Sequence, residues 1–195
     1  SRLSGGIARP NLFEVVLAFP DGVVDSSVAD IDAKARFLVK AAALPASNVA
    51  PISVPFRGRT LKIAGDRTFD DWTVTIINDE DFKLRTAFER WSNVMSRLDD
   101  ATGVTNPSSY MTDGYVQQLG RGASAATGTP SEGESSILRS YKFFDIFPAT
   151  VGEIAVSYDT TDDLETFDVT FRYQYFTIGN SAQSSGGAGG EVLIT

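Results

Sequence analysis

The residues able to do chemistry in this chain are carboxylates, and they come in clusters: Asp70-Asp71, Asp79-Glu80-Asp81, Asp99-Asp100 and Asp162-Asp163. Paired carboxylates serve glycoside hydrolysis when two face each other across a cleft, and they hold calcium or magnesium when several oxygens converge on one ion. Neither pattern is present. The clusters sit at turns and at one helix start, and none has the spacing of a calcium-binding loop. The chain contains no histidine and no cysteine. It therefore lacks the usual general base, the commonest transition-metal ligand, the thiolate nucleophile and any disulfide framework. A Ser-His-Asp or Cys-His centre cannot be built from it. The glycine-rich stretches 120–133 and 186–190 lack the Gly-Lys-Ser/Thr and the strand-loop-helix setting of a phosphate cradle, and read as linkers. The expectation is a non-enzymatic protein without metal or cofactor.

The most distinctive stretch is Gly65-Asp66-Arg67-Thr68-Phe69-Asp70-Asp71-Trp72. It reads either as a tight loop leading into a strand anchored by Trp72, or as a subunit contact, since Arg and Trp favour interface hot spots. Residue type alone leaves both open.

These residues must be positioned by a mainly β framework. Leu12–Phe19 is a strand between Pro10-Asn11 and Pro20-Asp21-Gly22. Residues 36–44 read as strand rather than helix, because Pro45 disfavours helix at Leu44. Residues 51–65 alternate Ile52, Val54, Phe56, Leu61 and Ile63 about Arg57-Gly58-Arg59, the pattern of a long β-hairpin with a basic tip. Pro51 and Pro55 remove ladder donors, which suits a protruding arm better than a central strand. Asp71–Ile77 is a strand with Trp72, Val74 and Ile76 on one face.

One helix is expected over about 79–98, capped by Asn78 or Asp79. Its apolar stripe is Leu84, Phe88, Trp91, Met95 and Leu98. Residues 99–136 read as a loop-rich insertion around a short strand near Tyr115–Leu119, with a low-complexity loop at 120–136. Strand patterns return at Ile137–Phe147, Glu153–Tyr158 and Leu164–Phe176. The last strand alternates Phe167, Val169, Phe171, Tyr173 and Tyr175 against polar residues, so one side faces core and the other water or a lumen. The chain divides into a β domain over 1–178 and a Ser/Gly tether with a short β segment over 179–195. Residues 191–195 are expected to add a strand to a neighbouring subunit.

The 195 residues allow a substantial core. A net charge of −8 opposes binding to phosphate backbones. No apolar run approaches a membrane span. The N-terminal Ser1–Gly6 lacks a signal peptide's apolar stretch.

Ala8–Phe13, Ala43–Ala46, Gly65–Thr75, Asn78-Asp79-Glu80, Phe147-Pro148, Val151–Ile154 and Glu165–Thr170 occur in one order along the chain. In this set the chain resembles the tail tube proteins of T4-like contractile-tailed bacteriophages, related in fold to type VI secretion and bacteriocin inner tubes. The resemblance implies a small antiparallel β-barrel or sandwich with one flanking helix, and sixfold rings that stack into a tube with a β-lined channel. It implies a virion protein assembled in the host cytoplasm. Its partners would be copies of itself, the tail sheath protein, a baseplate hub, a tail terminator, an internal tape-measure protein and DNA in transit. It places Arg57, Arg59, Asp66, Arg67, Asp70 and Trp72 as subunit contacts. The alternatives are the inner tube of a secretion or bacteriocin device, and a carbohydrate-binding β-sandwich with Trp72, Trp91 and tyrosines as stacking platforms.

Overall fold

A computed structural model describes residues 8–24, 31–120, 137–159 and 163–179. Nine strands and two helices follow in the order β1 (Phe13–Leu17), α1 (Ile31–Leu38), β2 (Val39–Ala42), β3 (Ser47–Phe56), β4 (Arg59–Phe69), β5 (Trp72–Ile77), α2 (Lys83–Met95), β6 (Thr112–Leu119), β7 (Ile137–Val151), β8 (Thr166–Arg172) and β9 (Tyr175–Gly179). The expected low-complexity loop at 120–136 and the expected β segment at 191–195 fall largely or wholly outside the described residues.

Seven strands form one antiparallel sheet in the order β1-β6-β7-β8-β5-β2, with β9 also on β7, while β3 and β4 pair only with each other. The long strand β7 joins the two halves of the sheet. It bends at Asp145, whose φ is 53°, at a bulge that shifts its register with β6 between Thr112↔Ile146 and Gly114↔Phe143. The halves close over an aromatic core in which Trp72 stacks on Phe143 at 4.4 Å. The edge strands β1 and β2 do not hydrogen-bond, so the expected barrel is open.

Helix α2 lids this core. Leu84, Ala87, Phe88 and Trp91 are buried, and Phe88 meets Phe167 and Phe171 edge-on. The Trp91 indole N–H donates to Tyr110 O at 2.7 Å, so the large ring is buried with its polar atom satisfied. The helix is shorter than the apolar stripe suggests. Asn78 is drawn away to Glu165, through its side chain at 2.5 Å and its N–H at 2.9 Å. Asp79 spends its carboxylate on Glu80 N–H. The helix start falls instead at Phe82, which is left-handed (φ 51°), and the Asp81 carboxylate accepts Lys83 N–H at 3.1 Å. Past Met95 the chain turns back, with Arg97 N–H on Thr102 O, and Leu98 faces solvent.

Three further expectations are corrected. Residues 36–38 end a second helix, α1, which buries Ile31 and Ala35, four apart on one face. Pro45 acts on Leu44, well beyond that helix, and only 39–42 is strand. The pattern at Glu153–Tyr158 forms no strand: the β7–β8 ladder stops at Val151↔Val169, Gly152 N–H still bonds Asp168 O, and the Arg85 guanidinium takes the Gly152 carbonyl where the ladder would continue. Leu164–Phe176 breaks at Tyr173-Gln174 into β8 and β9, opposite the bend in β7.

Lys34 of α1 ties this helix to the turn before α2 through Asp79, at 3.1 Å, and Asp81. Hydrogen bonding to Lys34 holds the Asp81 carboxyl below its ordinary 3.8, and bonding to Asp81 and Asp79 raises the Lys34 ammonium above 10.5. A depressed carboxylate stabilises the fold above its unfolded pKa, and that contribution disappears as pH falls through the folded value. Lys34→Ala should therefore melt slightly below wild type at pH 7, an exposed pair being weak. The two curves should converge below pH 3.8. A gap that persists at pH 2 would assign the effect to packing instead. Among the described residues, no helix is long and apolar enough to cross a membrane.

Candidate assembly interface

The two-stranded arm is built from its turn outward. Arg57 and Gly58 both have positive φ, 46° and 78°, the geometry of a two-residue type I′ turn whose twist matches the flanking strands. Glycine takes this conformation freely, and the Arg57 guanidinium lies over the Phe56 ring at 5.4 Å. Cross-strand pairs Ile52↔Ile63, Val54↔Leu61 and Phe56↔Arg59 place five large apolar side chains and one arginine on one face. The opposite face carries Pro51, Ser53, Pro55, Thr60, Lys62 and Ala64. Every residue of β3 is exposed, and the five apolar side chains are 40–64% exposed. A bulge follows between Val49 and Pro51. Here Gly65 is required: a Cβ would lie 2.5 Å from Ala50 O.

The structure spreads the six sequence-predicted contact residues along this arm and its root. Arg57 and Arg59 stand at the exposed tip, and Asp66 and Arg67 are exposed beside the bulge. Asp70 accepts a 2.8 Å hydrogen bond from Asn48, closing the arm at its base. Trp72 is different. It is only 2% exposed, packed on Phe143 and Phe171, and its indole N–H donates to Ala43 O at 2.7 Å, just before β3 begins. It offers no surface to a neighbour and instead anchors the arm to the core. Beside it, Phe69 at the end of β4 packs against Tyr173 and Phe176. Burial, and then the carboxylates of Asp70 and Asp71, push the Tyr173 phenol above its ordinary 10.0.

Sequence reasoning located the charged tip but did not read the apolar side of the hairpin as a surface. The alternation that carries it was visible. What it lacked was the information that no element among the described residues covers that face. With Trp72 and Trp91 both buried, neither serves as a sugar-stacking platform, and the carbohydrate-binding reading loses its two tryptophans. The acids at 79–81 and 99–100 serve turns and the start of α2, Asp70 and Asp71 meet Asn48 and Arg172, Asp162 lies outside the described residues, and no group of acids among the described residues converges as a metal site.

A second surface lies on the sheet half formed by β7, β8 and β5. Thr150↔Thr170↔Thr73 run across three strands, beside Asp168↔Thr75. The hydroxyls of Thr73 and Thr170 lie 3.2 Å apart, and Thr75 donates to Asp168 at 2.6 Å. Arg172 pairs with Asp71 at 3.4 Å. This face is water-facing, and its polar groups bond to one another.

The described residues thus form an open-edged antiparallel sheet with a buried tryptophan at the root of an exposed apolar arm. Residues 8–179 match the phage tail tube protein family, and the chain belongs to that family of virion tail proteins. It is 32% identical over 173 residues to the tail tube protein gp19 of Enterobacteria phage T4, covering 89% of this chain and 93% of that one. It is 21% identical to the tail tube protein of Serratia phage KSP90, over 87% of each chain. Among solved structures, a chain of the anti-feeding prophage baseplate superposes with a TM-score of 0.59 at 10% identity, covering 91% of this chain and 98% of that one. The last likeness is one of fold. The protein is thus a structural component of the tail of a contractile phage.

Proposed function

We propose that copies of this chain close into sixfold rings, and that the rings stack into the inner tail tube that conducts DNA during ejection and supports the sheath. The observation that carries the reading is the arm. A two-stranded ribbon with five large apolar side chains open to water is costly alone and is stabilised when another copy covers it. The open edges β1 and β2 support ring closure, because closure pairs edges that would otherwise invite uncontrolled aggregation.

The threonine face of β5, β7 and β8 suits a channel wall. DNA moving past it meets hydroxyls engaged with one another and Asp168, and the chain's charge of −8 repels phosphate. The role calls for the tail sheath outside, a baseplate hub and a terminator at the ends, and a tape-measure protein within. The surface contacts are assigned to Arg57, Arg59, Asp66, Arg67 and Asp70, with Trp72 holding their platform.

The test is negative-stain electron microscopy of the concentrated protein at neutral pH, with and without a purified baseplate. Hollow rings or stacked tubes are expected. Monomers that stay dispersed even with the baseplate would overturn the reading.

A further inference from the structure

Residues 152–159 and 163–165 present a further exposed surface. Val156 is 83% exposed, Leu164 66%, and Tyr158 is fully exposed at 105%. The sequence over 153–158 alternates Ile154, Val156 and Tyr158 with Glu153, Ala155 and Ser157, as a strand with one apolar side would. The β7–β8 ladder ends at Val151↔Val169, with Gly152 N–H on Asp168 O just beyond it, and among the described residues 153–158 pairs with no strand. Its charges are one-sided: Glu153, Asp159, Asp163 and Glu165 occur among the described residues, and no lysine or arginine occurs anywhere in 152–165.

The arm is the complement on both counts. In a chain of net charge −8, residues 47–69 carry Arg57, Arg59, Lys62 and Arg67 against the single acid Asp66. Arg59 shares the face that holds Ile52, Val54, Phe56, Leu61 and Ile63. Its two strands pair only with each other, so each has an open outer edge among the described residues.

We propose that residues 152–159 and 163–165 of one copy are the seat for the apolar, basic face of the β3–β4 arm of a neighbouring copy. Apolar side chains bury against apolar ones, opposite charges steer the approach, and Glu153–Tyr158 can add to an open edge of the arm as a third strand. The two patches differ, so the contact is heterologous: each copy gives an arm and receives one, and the pattern propagates until it closes. This inference rests on the tube reading and names where on the neighbour the arm lands.

The chain has no cysteine, so introduced cysteines are unique. The experiment treats tubes of Ile52→Cys/Val156→Cys protein with a short bis-maleimide and reads the ladder of linked chains on a denaturing gel. Ser53→Cys/Val156→Cys, with the first thiol on the opposite face of the arm, is the control. Ordered contact raises the effective thiol concentration towards the millimolar range, so linkage at least about tenfold above the control is expected. In parallel, Arg57→Glu/Arg59→Glu should block assembly, since Arg59 shares the apolar face and Arg57 lies over Phe56 on it, and adding Asp159→Lys/Asp163→Lys should restore it. Normal tubes with linkage no greater than the control, or charge reversal without rescue, would overturn the seat while leaving the tube reading intact. Wild-type protein that forms no tubes would overturn both.

Discussion

Replacing Ile52 and Leu61 together by aspartate is expected to abolish tube formation while leaving the monomer folded. The two side chains are 55% and 58% exposed in the isolated chain and share the apolar face of the arm. Surface substitutions outside the core shift stability by about 0.5 kcal/mol or less, so the melting temperature should move by no more than about 2 °C. In the proposed assembly the same positions are covered. Each loses the burial of a large apolar side chain, about 1.5–3 kcal/mol, and places a carboxylate where water is excluded. Two such losses at every repeat exceed what a subunit contact tolerates. Circular dichroism melts report the monomer, and electron microscopy with sedimentation reports the tubes. Variant protein that still forms tubes at wild-type concentration would remove the arm from the contact. Variant protein that fails to fold would contradict the exposure of these residues.

Elements governed by local pattern were legible in the sequence. The turn at Arg57-Gly58 announces itself through a glycine between alternating strands, and β5 through Trp72, Val74 and Ile76. The helix α2 follows from Leu84, Phe88 and Trp91 at helical spacing. Where the sequence misled, a long-range partner decided. Asn78 is a good cap by type, but Glu165 claims it. Glu153–Tyr158 has a strand's alternation, but the β7–β8 ladder ends at Val151↔Val169 and Arg85 takes the Gly152 carbonyl. The helix α1 has a short buried face, Ile31 and Ala35, too little for periodicity to outweigh the β-like run that follows. The site shows the same division. Charged residues at the tip were readable as surface from their type alone. Trp72 was not assignable until its neighbours Phe143, Phe171 and Ala43 were known, because tryptophan is favoured in cores and at hot spots alike.

That double character makes Trp72 the most informative core position to change. Trp72→Ala should destabilise the fold by about 3–5 kcal/mol, since it leaves a cavity between Phe143 and Phe171 that the two sheet halves cannot both fill. For a chain of this size the melting temperature should fall by roughly 10 °C or more. Trp72→Phe separates packing from anchoring. It keeps most of the aromatic contact and removes the indole N–H that holds Ala43 O at 2.7 Å, a loss of about 1 kcal/mol. Ala43 lies between β2 and β3, so that bond fixes where the arm leaves the sheet. The phenylalanine variant should therefore melt close to wild type yet need a higher protein concentration to assemble, because an arm with a looser root must be ordered when it docks. If Trp72→Phe assembles at the wild-type concentration, the root is set by Phe69, Tyr173 and Phe176 without help from the indole. If Trp72→Ala melts like wild type, the ring fills space that the core does not need, and the arm's platform must be sought elsewhere.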